Sequence, residues 1–532
     1  MRSLSKYATL LCTDRRCATI RGSRKGLCSL LLLAGLFAPA AAAGPVAVVA
    51  VRPGHTLPRG GAVGLFVPGS GETVSGEGAL AALLRGKTRK SVLGGVPRGK
   101  PMIALSSRPA RTTIYVSLPP PGKHPNTRRY PIAIVGPGYQ GILVSRSTRI
   151  RGLVSIADIA PTARALERGD RPAIRAEPDP DAAADIAKLD RRLTRNHDAR
   201  LWETLILVGY VLAGALLAVG LRSEYVSRLG LLAAPAVLAA ALVLSAAEVT
   251  RQELVLALLA AIAVAEAALL AIGRRVLPWA LVAFVLMYLV VFVAWSEVAS
   301  FSAIGASPDG GGRFYGAGNL VETVLLTVSL EASALLGRRS LPFVLALALL
   351  TVGWSRAGAD GGGIVVFLAA FAVLASRLYR VRWTWRRAAG AVVVGAAAVA
   401  ALVGIDAATG GSSHVTHAFR RGPVSLAEDL WSRVHISVAS LGSSAVQATV
   451  FAVSVAALVV LATRRPRFPA GDALVVGLAV SLVVNDSPAA VASAGALSYA
   501  VLYAHEWVRG TARDTTRADN VGVHVPGLAS RT

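Results

Sequence analysis

Leu277-Pro-Trp-Ala-Leu-Val-Ala-Phe-Val-Leu-Met-Tyr-Leu-Val-Val-Phe-Val-Ala-Trp295 is a run of 19 residues without a single charge. At 1.5 Å per residue, a helix of that length reaches roughly 28 Å, close to the hydrocarbon thickness of a bilayer. The run predicts a membrane-spanning helix. Further apolar segments surround it at 202–221, 229–247, 254–273, 320–336, 341–354, 364–378, 388–405, 445–462, 473–484 and 489–504. Together they predict an all-α polytopic bundle of about 11 helices over 201–507, with one long loop at 406–444. The composition agrees. Charged residues make up 16% of the 532 positions, against roughly 25% in soluble domains.

The net charge is +26, a balance that also occurs in nucleic-acid-binding proteins. Here many arginines flank apolar segments, where orientation in a membrane requires them. Nucleic acid is therefore not expected as a partner. Every second connection is basic: Arg222 and Arg228; Arg274 and Arg275; Arg338 and Arg339; Arg377, Arg380, Arg382, Arg386 and Arg387; Arg464, Arg465 and Arg467. The intervening ones carry Arg251, Arg313 or Arg356, and none at 485–488. The loop 406–444 carries Arg420, Arg421 and Arg433, but long loops weigh less. The expectation is a protein of the cytoplasmic membrane, with the basic connections and C-terminus inside and the N-terminal domain outside.

Residues 1–43 run from a basic stretch through an apolar one to Ala41-Ala42-Ala43, the order of a secretory signal, with an uncleaved anchor as the alternative. Cys12, Cys17 and Cys28 all lie there, so no disulfide framework is expected in the exported part. The polar tail 508–532 is expected to be disordered and cytoplasmic.

Residues 44–177 read as an α/β domain. β-Branched runs at 46–51, 62–67, 112–118 and 132–135 predict strands, and 79–84 and 159–166 predict helices. Residues 178–200 read as a linker or helix into the membrane. Three pieces carry a resemblance: Tyr130-Pro-Ile-Ala-Ile-Val-Gly-Pro-Gly-Tyr139, Ser147-Thr-Arg149 and Gly152-Leu-Val-Ser-Ile-Ala-Asp-Ile-Ala-Pro-Thr162. They resemble the C-terminal part of the alkaline-phosphatase/sulfatase superfamily, where a strand ending in a Gly-rich turn leads to a D-[IV]-[AT]-P-T helix start. The resemblance implies Asp158 as a helix cap and Pro161 in the first turn. With its Gly-rich loops, the whole chain resembles a family of actinobacterial multi-spanning proteins that carry a degenerate domain of this type.

The superfamily's chemistry needs two metals held by Asp and His, and a Ser or Thr nucleophile. Between Gly44 and Ile156 the acids are Glu72 and Glu77, and the histidines His55 and His124. The Asp expected after the first strand is replaced by Arg52-Pro-Gly-His55. Thr73 and Ser75 stand where a nucleophile would, and read as turn residues. The domain is therefore expected to be a pseudo-phosphatase, with no metal and no cofactor. The same stretch holds 16 Lys and Arg. Such an excess concentrates anions, and Arg128, Arg129 and Arg149 are expected to bind phosphate groups.

Three polar connections fall on the expected outer side: Gly310-Gly-Gly-Arg-Phe-Tyr-Gly-Ala-Gly-Asn319, Gly358-Ala-Asp-Gly-Gly-Gly363 and Asn485-Asp-Ser-Pro488. In the resembling family, G-x-G-N is followed by Glu and N-D-S by Gly; here Leu320 and Pro488 stand instead. The segments 341–354 and 364–378 are short, as is 473–484. Short Gly-interrupted pairs point to a binding site, either as re-entrant hairpins or as helices that run on through the glycines. Asp360, Asp486 and Glu322 are the expected catalytic residues, and Arg313, Asn319 and Asn485 the expected substrate-binding ones. Glu266 and Glu331 are embedded acids. His414 and His417, at i, i+3, read as solvated loop residues rather than a metal pair. Residues 425–441 read as an amphipathic helix on the membrane or the bundle.

The function this suggests is cell-envelope biogenesis: recognition of a phosphate-bearing or lipid-linked substrate at the outer membrane face. Expected partners are an anionic lipid or a phosphate-bearing envelope polymer. A transporter or flippase using Glu266, Glu331 and Asp360 is the alternative, and a non-catalytic scaffold another.

Overall fold

The computed structural model describes residues 44–520 except 53, 55–56, 59, 71–72, 89–96, 98, 250–251, 312, 382–383 and 409–422. The expected signal, the pair His414 and His417, and tail residues 521–532 lie outside the described residues. An α/β region comes first and a mostly helical region follows.

The α/β region runs β1 (Val46–Val51), β2 (Ala62–Val67), β3 (Thr73–Ser75), α1 (Gly76–Arg85), β4 (Thr112–Ser117), β5 (Lys123–Pro125), β6 (Tyr130–Val135), β7 (Gly141–Ser145), β8 (Leu153–Ser155), α2 (Ile159–Arg168) and β9 (Ile174–Glu177). The main sheet has the order β1-β4-β6-β2-β7-β9, with β8 also against β2. It is mixed: β1 with β4, and β2 with both β7 and β8, are parallel, and the remaining pairs are antiparallel. The four β-branched runs are β1, β2, β4 and β6. On one face Phe66, Ile114, Ile132, Ile134 and Leu143 pack against Ala79, Ala82 and Leu83 of α1 and Ala163 and Leu166 of α2. α1 starts where Ser75 Oγ accepts the Gly78 N–H at 3.0 Å. That makes Ser75 a helix cap.

The other face of the sheet determines where the domain sits. Leu65, Val67, Ile150 and Leu153 pack on Leu193 and Phe301. Leu193 belongs to α3 (Ala182–Leu221), a single helix of 40 residues. No Gly or Pro interrupts it before Gly209, so most of the segment 178–200 is continuous helix. Its first half covers the sheet and its second half is apolar, with Leu205, Leu212 and Leu216 exposed.

Beyond it come α4 (Glu224–Ala246), α5 (Gln252–Ile272), α6 (Val276–Ala294), the short α7 (Ser296–Ser300), α8 (Asn319–Leu336), α9 (Leu341–Gly353), α10 (Gly361–Leu378), α11 (Trp385–Ala408), α12 (Pro423–Ser443), α13 (Ala445–Thr463), α14 (Pro469–Val484) and α15 (Pro488–Asn520). Seven of these helices (α3, α4, α5, α6, α8, α10 and α13) are long and apolar enough to cross a membrane, among the described residues. Exposed Leu256, Val264, Val293 and Val453 lie on them. Apolar surface of this extent marks a membrane contact.

α8 is the central helix. Every residue from Val321 to Ser333 is buried, and it packs against α4, α6, α9, α10, α14 and α15. The Gly361–Gly363 run is not a break but the first turn of α10. α9 stays short, at 13 residues, about 20 Å. α15 extends through Asn520, so the first part of the tail expected to be disordered is helical.

A buried ion cluster joins the domain's helix to the loop after α7. Asp309 accepts Arg200 Nη2 at 2.7 Å, Arg200 Nη1 at 3.3 Å and His197 Nδ1 at 2.7 Å. Beside it, Asn126 Nδ2 donates to Gly310 O at 2.8 Å. Burial alone would raise the Asp309 pKa, but Arg200 and His197 together hold it below the usual carboxylate range. A carboxyl depressed on folding stabilises fully above its unfolded value of about 3.9, and that contribution is lost as pH falls through the lower folded value. Asp309→Asn is therefore expected to lower stability near neutral pH by about 3 kcal/mol, and by less near pH 3, below the unfolded value of about 3.9. Thermal unfolding of both proteins across pH measures this. An equal deficit at both pH values would contradict it.

Candidate functional site

The three Gly-rich connections meet at the end of the bundle that carries the α/β domain. Arg313 Nη2 donates to Asp360 Oδ2 at 2.7 Å, and its Nη1 donates to Ala317 O. The other Asp360 oxygen accepts the N–H groups of Gly362 at 3.0 Å and Gly363 at 3.1 Å. One carboxylate thus caps α10 and holds the arginine of a different loop.

Glu322 lies in the first turn of α8 and is 1% exposed. Its Oε2 accepts Asn485 Nδ2 at 3.2 Å, while its Oε1 is buried with no hydrogen-bond partner among the described residues. Asn485 Nδ2 also donates to Ser481 Oγ at 2.8 Å, and its carbonyl accepts Ser437 Oγ at 3.0 Å. The glycines are needed for this approach. A Cβ on Gly363 would lie 2.5 Å from Val352 Cγ1 and 3.2 Å from Glu322 Cδ, and one on Gly362 would lie 3.0 Å from Asn485 Oδ1.

The backbone is stitched together as tightly as the side chains. Gly358 N bonds to Thr351 O and Asp360 N to Val352 O, both at 2.9 Å, and Ala317 N bonds to Gly358 O at 3.0 Å. The turn 354–360 folds back onto α9 with Ser355, Ala357, Gly358 and Asp360 buried. Irregular backbone buried in protein in this way keeps its polar groups satisfied at membrane depth.

Four of the six expected membrane residues, Arg313, Glu322, Asp360 and Asn485, therefore share one cluster. Asp486 lies at its edge. Its charge acts on Arg313, and its Oδ1 accepts Ser487 Oγ at 3.2 Å. Asn319 opens α8 one turn before Glu322; among the described residues, no hydrogen bond draws its side chain into the cluster. Ser481, Ser437 and Arg433 were not expected. Arg433 Nη1 donates to Val484 O at 2.9 Å. It comes from α12, which packs on α14 and α15.

The domain's arginines need correction. Arg129 donates to Asp190 Oδ1 at 2.8 Å, Asp190 O at 3.1 Å, Thr194 Oγ1 at 2.5 Å and Thr127 O at 2.8 Å. It clamps the domain to α3 and has little left for phosphate. Arg149 donates to Ser355 O at 2.6 Å, and its guanidinium carbon stands 3.8 Å from the centre of the Tyr315 ring. Both partners belong to the loops of the cluster, so Arg149 ties the domain to the site. Arg128 is exposed. Asp158 is not a side-chain cap either. Its carboxylate accepts Ser145 Oγ at 2.6 Å and Ser147 Oγ, and burial pushes its pKa up despite these bonds.

Chemically, the cluster offers a half-exposed cation, an engaged carboxylate and a buried carboxylate with one oxygen unpaired among the described residues. Burying such an oxygen is costly unless a proton or a ligand satisfies it. No family model, no curated protein and no solved structure matches this chain.

Proposed function

We propose that the chain is a cytoplasmic-membrane protein of about eleven spans, with the α/β domain outside, that binds a phosphate-bearing, lipid-linked envelope substrate at the outer face. α9, α11, α14 and α15 join the seven long apolar helices to make the eleven, α9 and α14 being short at 13 and 16 residues, while α12 lies on the membrane or the bundle. The observation that carries the reading is the Glu322 oxygen that no described residue bonds, within the cluster of Arg313, Asp360 and Asn485. Arg313 suits a phosphate group, since guanidinium binds phosphate in a forked geometry. Asp360 is already committed to its cap and ion pair, so the role of proton acceptor falls to Glu322, with Asp486 at the mouth. The α/β domain then acts as a non-catalytic cover, joined to the site through Arg149.

A through-path for transport fits less well. Glu322 and Glu331 are nine residues apart on α8, about two and a half turns, which places them on opposite faces.

The test uses a fluorescent polyprenyl phosphate and the purified chain in lipid nanodiscs. Arg313→Gln is expected to weaken binding at least about tenfold, the loss of one charge-assisted interaction. The corresponding polyprenol, lacking phosphate, is expected not to compete. Unchanged binding by Arg313→Gln, or equal competition by the polyprenol, would refute the reading.

A further inference from the structure

We propose that Glu331, His505 and Glu506 form a binding site for a zinc-class divalent cation at the end of the bundle remote from the α/β domain. One donor atom from each lies within 4.8 Å of the other two. Glu331 is 12 positions beyond Asn319 in α8, about 18 Å along the helix. This cluster is therefore separate from the one described above.

Glu331 is 3% exposed, and among the described residues no hydrogen bond or ion pair holds its carboxylate. The cations around it have other partners. Arg228 and Arg274 both pair with Glu224, the latter at 3.1 Å, and Arg509 pairs with Glu506 at 2.8 Å. The charge of Arg509 also reaches Glu331 but is shared with Glu506, so this buried acid beside a histidine and a second acid leaves a place for a positive ligand.

The hydrogen bonds are compatible with a metal-ready tautomer of the histidine. Ser227 Oγ donates its proton to Glu224 O at 2.8 Å. Toward His505 Nδ1, 2.9 Å away, it can then only accept. In that tautomer Nδ1 carries the hydrogen, and Nε2 keeps a bare lone pair. Metal-ligating imidazoles are oriented in this way, with the far nitrogen donating to a fixed acceptor. Glu506 is about a quarter exposed, which gives an ion a way in. Its Oε1 accepts from Arg509, and its Oε2 remains for the metal.

One imidazole and two carboxylates suit Zn²⁺ or Mn²⁺ better than Ca²⁺ or Mg²⁺, which prefer all-oxygen shells. Bonds of about 2.0–2.2 Å bring tetrahedral donors to about 3.4 Å apart, so small side-chain rotations close the site. The ion would tie α8 to α15, with α4 supporting the histidine.

The experiment strips the full chain in nanodiscs with a chelator and titrates it with Zn²⁺, reading bound metal by elemental analysis and the thermal midpoint. About one zinc per chain and a higher midpoint are expected. Ser227→Ala is expected to weaken binding about 10–100-fold, as loss of a supporting hydrogen bond does. Glu331→Gln and His505→Gln should abolish it, and Glu253→Gln should not change it. Should the ligand variants fail to fold, Co²⁺ loaded into the wild type gives the answer. A tetrahedral visible spectrum supports the site, and an octahedral, water-like spectrum contradicts it. No stoichiometric zinc, or zinc retained by the Glu331→Gln and His505→Gln double variant, overturns the proposal.

Discussion

Gly316→Ala is expected to dismantle the site without touching any of its side chains. Gly316 has φ +85°, and a Cβ there would lie 2.0 Å from Gly358 O and 2.7 Å from Gly358 C. The left-handed conformation alone costs an L-residue roughly 1–2 kcal/mol. The collision is with backbone on a turn that is itself bonded to Thr351, Val352 and Ala317, so no side chain can swing aside. The loop carrying Arg313 must then part from the turn carrying Asp360. We expect a loss of about 3 kcal/mol or more, the range of strained-backbone substitutions that also break buried hydrogen bonds. Thermal unfolding in nanodiscs reads the loss. A variant within about 0.5 kcal/mol of wild type, the range of an ordinary surface substitution, would show that the two loops do not meet as described.

Arg313→Ala is expected to have a comparable effect for an electrostatic reason. Asp360 is 3% exposed, and removing its partner leaves a buried charge uncompensated, at a cost of about 3 kcal/mol. The α10 cap survives, because Gly362 and Gly363 still donate to the other oxygen. Asp360→Asn weakens both the cap and the pair. The double variant Arg313→Ala/Asp360→Asn should therefore be less damaged than the two single effects added, with a coupling above about 1 kcal/mol. Additivity within about 0.5 kcal/mol would mean that the two residues act independently.

The parts legible in the sequence were those governed by local rules. Apolar length located the helices, and β-branched runs located β1, β2, β4 and β6. The Gly-rich connections pointed to Arg313, Glu322, Asp360 and Asn485 because, although each alone reads as a turn or cap residue and Asp360 does cap α10, together they fall on one expected side of the bundle. The remainder depended on tertiary contacts. β3, β5 and β8 are three residues each, too short for an alternating pattern to show. The segment 178–200 read as a linker or a helix because its charge density fits either; from Ala182 no Gly or Pro breaks it before Gly209, and it is the first half of α3. Arg129 and Arg149 read as anion binders because an arginine's partners do not appear in its neighbours; Asp190 and Ser355 lie 61 and 206 positions away. His505 and Ser227 are 278 positions apart, and no spacing rule joins them.

Both proposals rest on one proposed arrangement: the Arg313 cluster on the outside of the membrane and the Glu331 cluster on the inside. Single cysteines at Arg356 and Arg339 test it most directly. Arg356 lies on the exposed part of the turn beside Asp360, and Arg339 is exposed between α8 and α9, at the other end of the bundle. In sealed cells, a membrane-impermeant maleimide is expected to label Arg356→Cys at once and Arg339→Cys only after permeabilisation. Labelling of Arg339→Cys in sealed cells, with Arg356→Cys protected, would turn the protein over and place the Arg313 cluster in the cytoplasm.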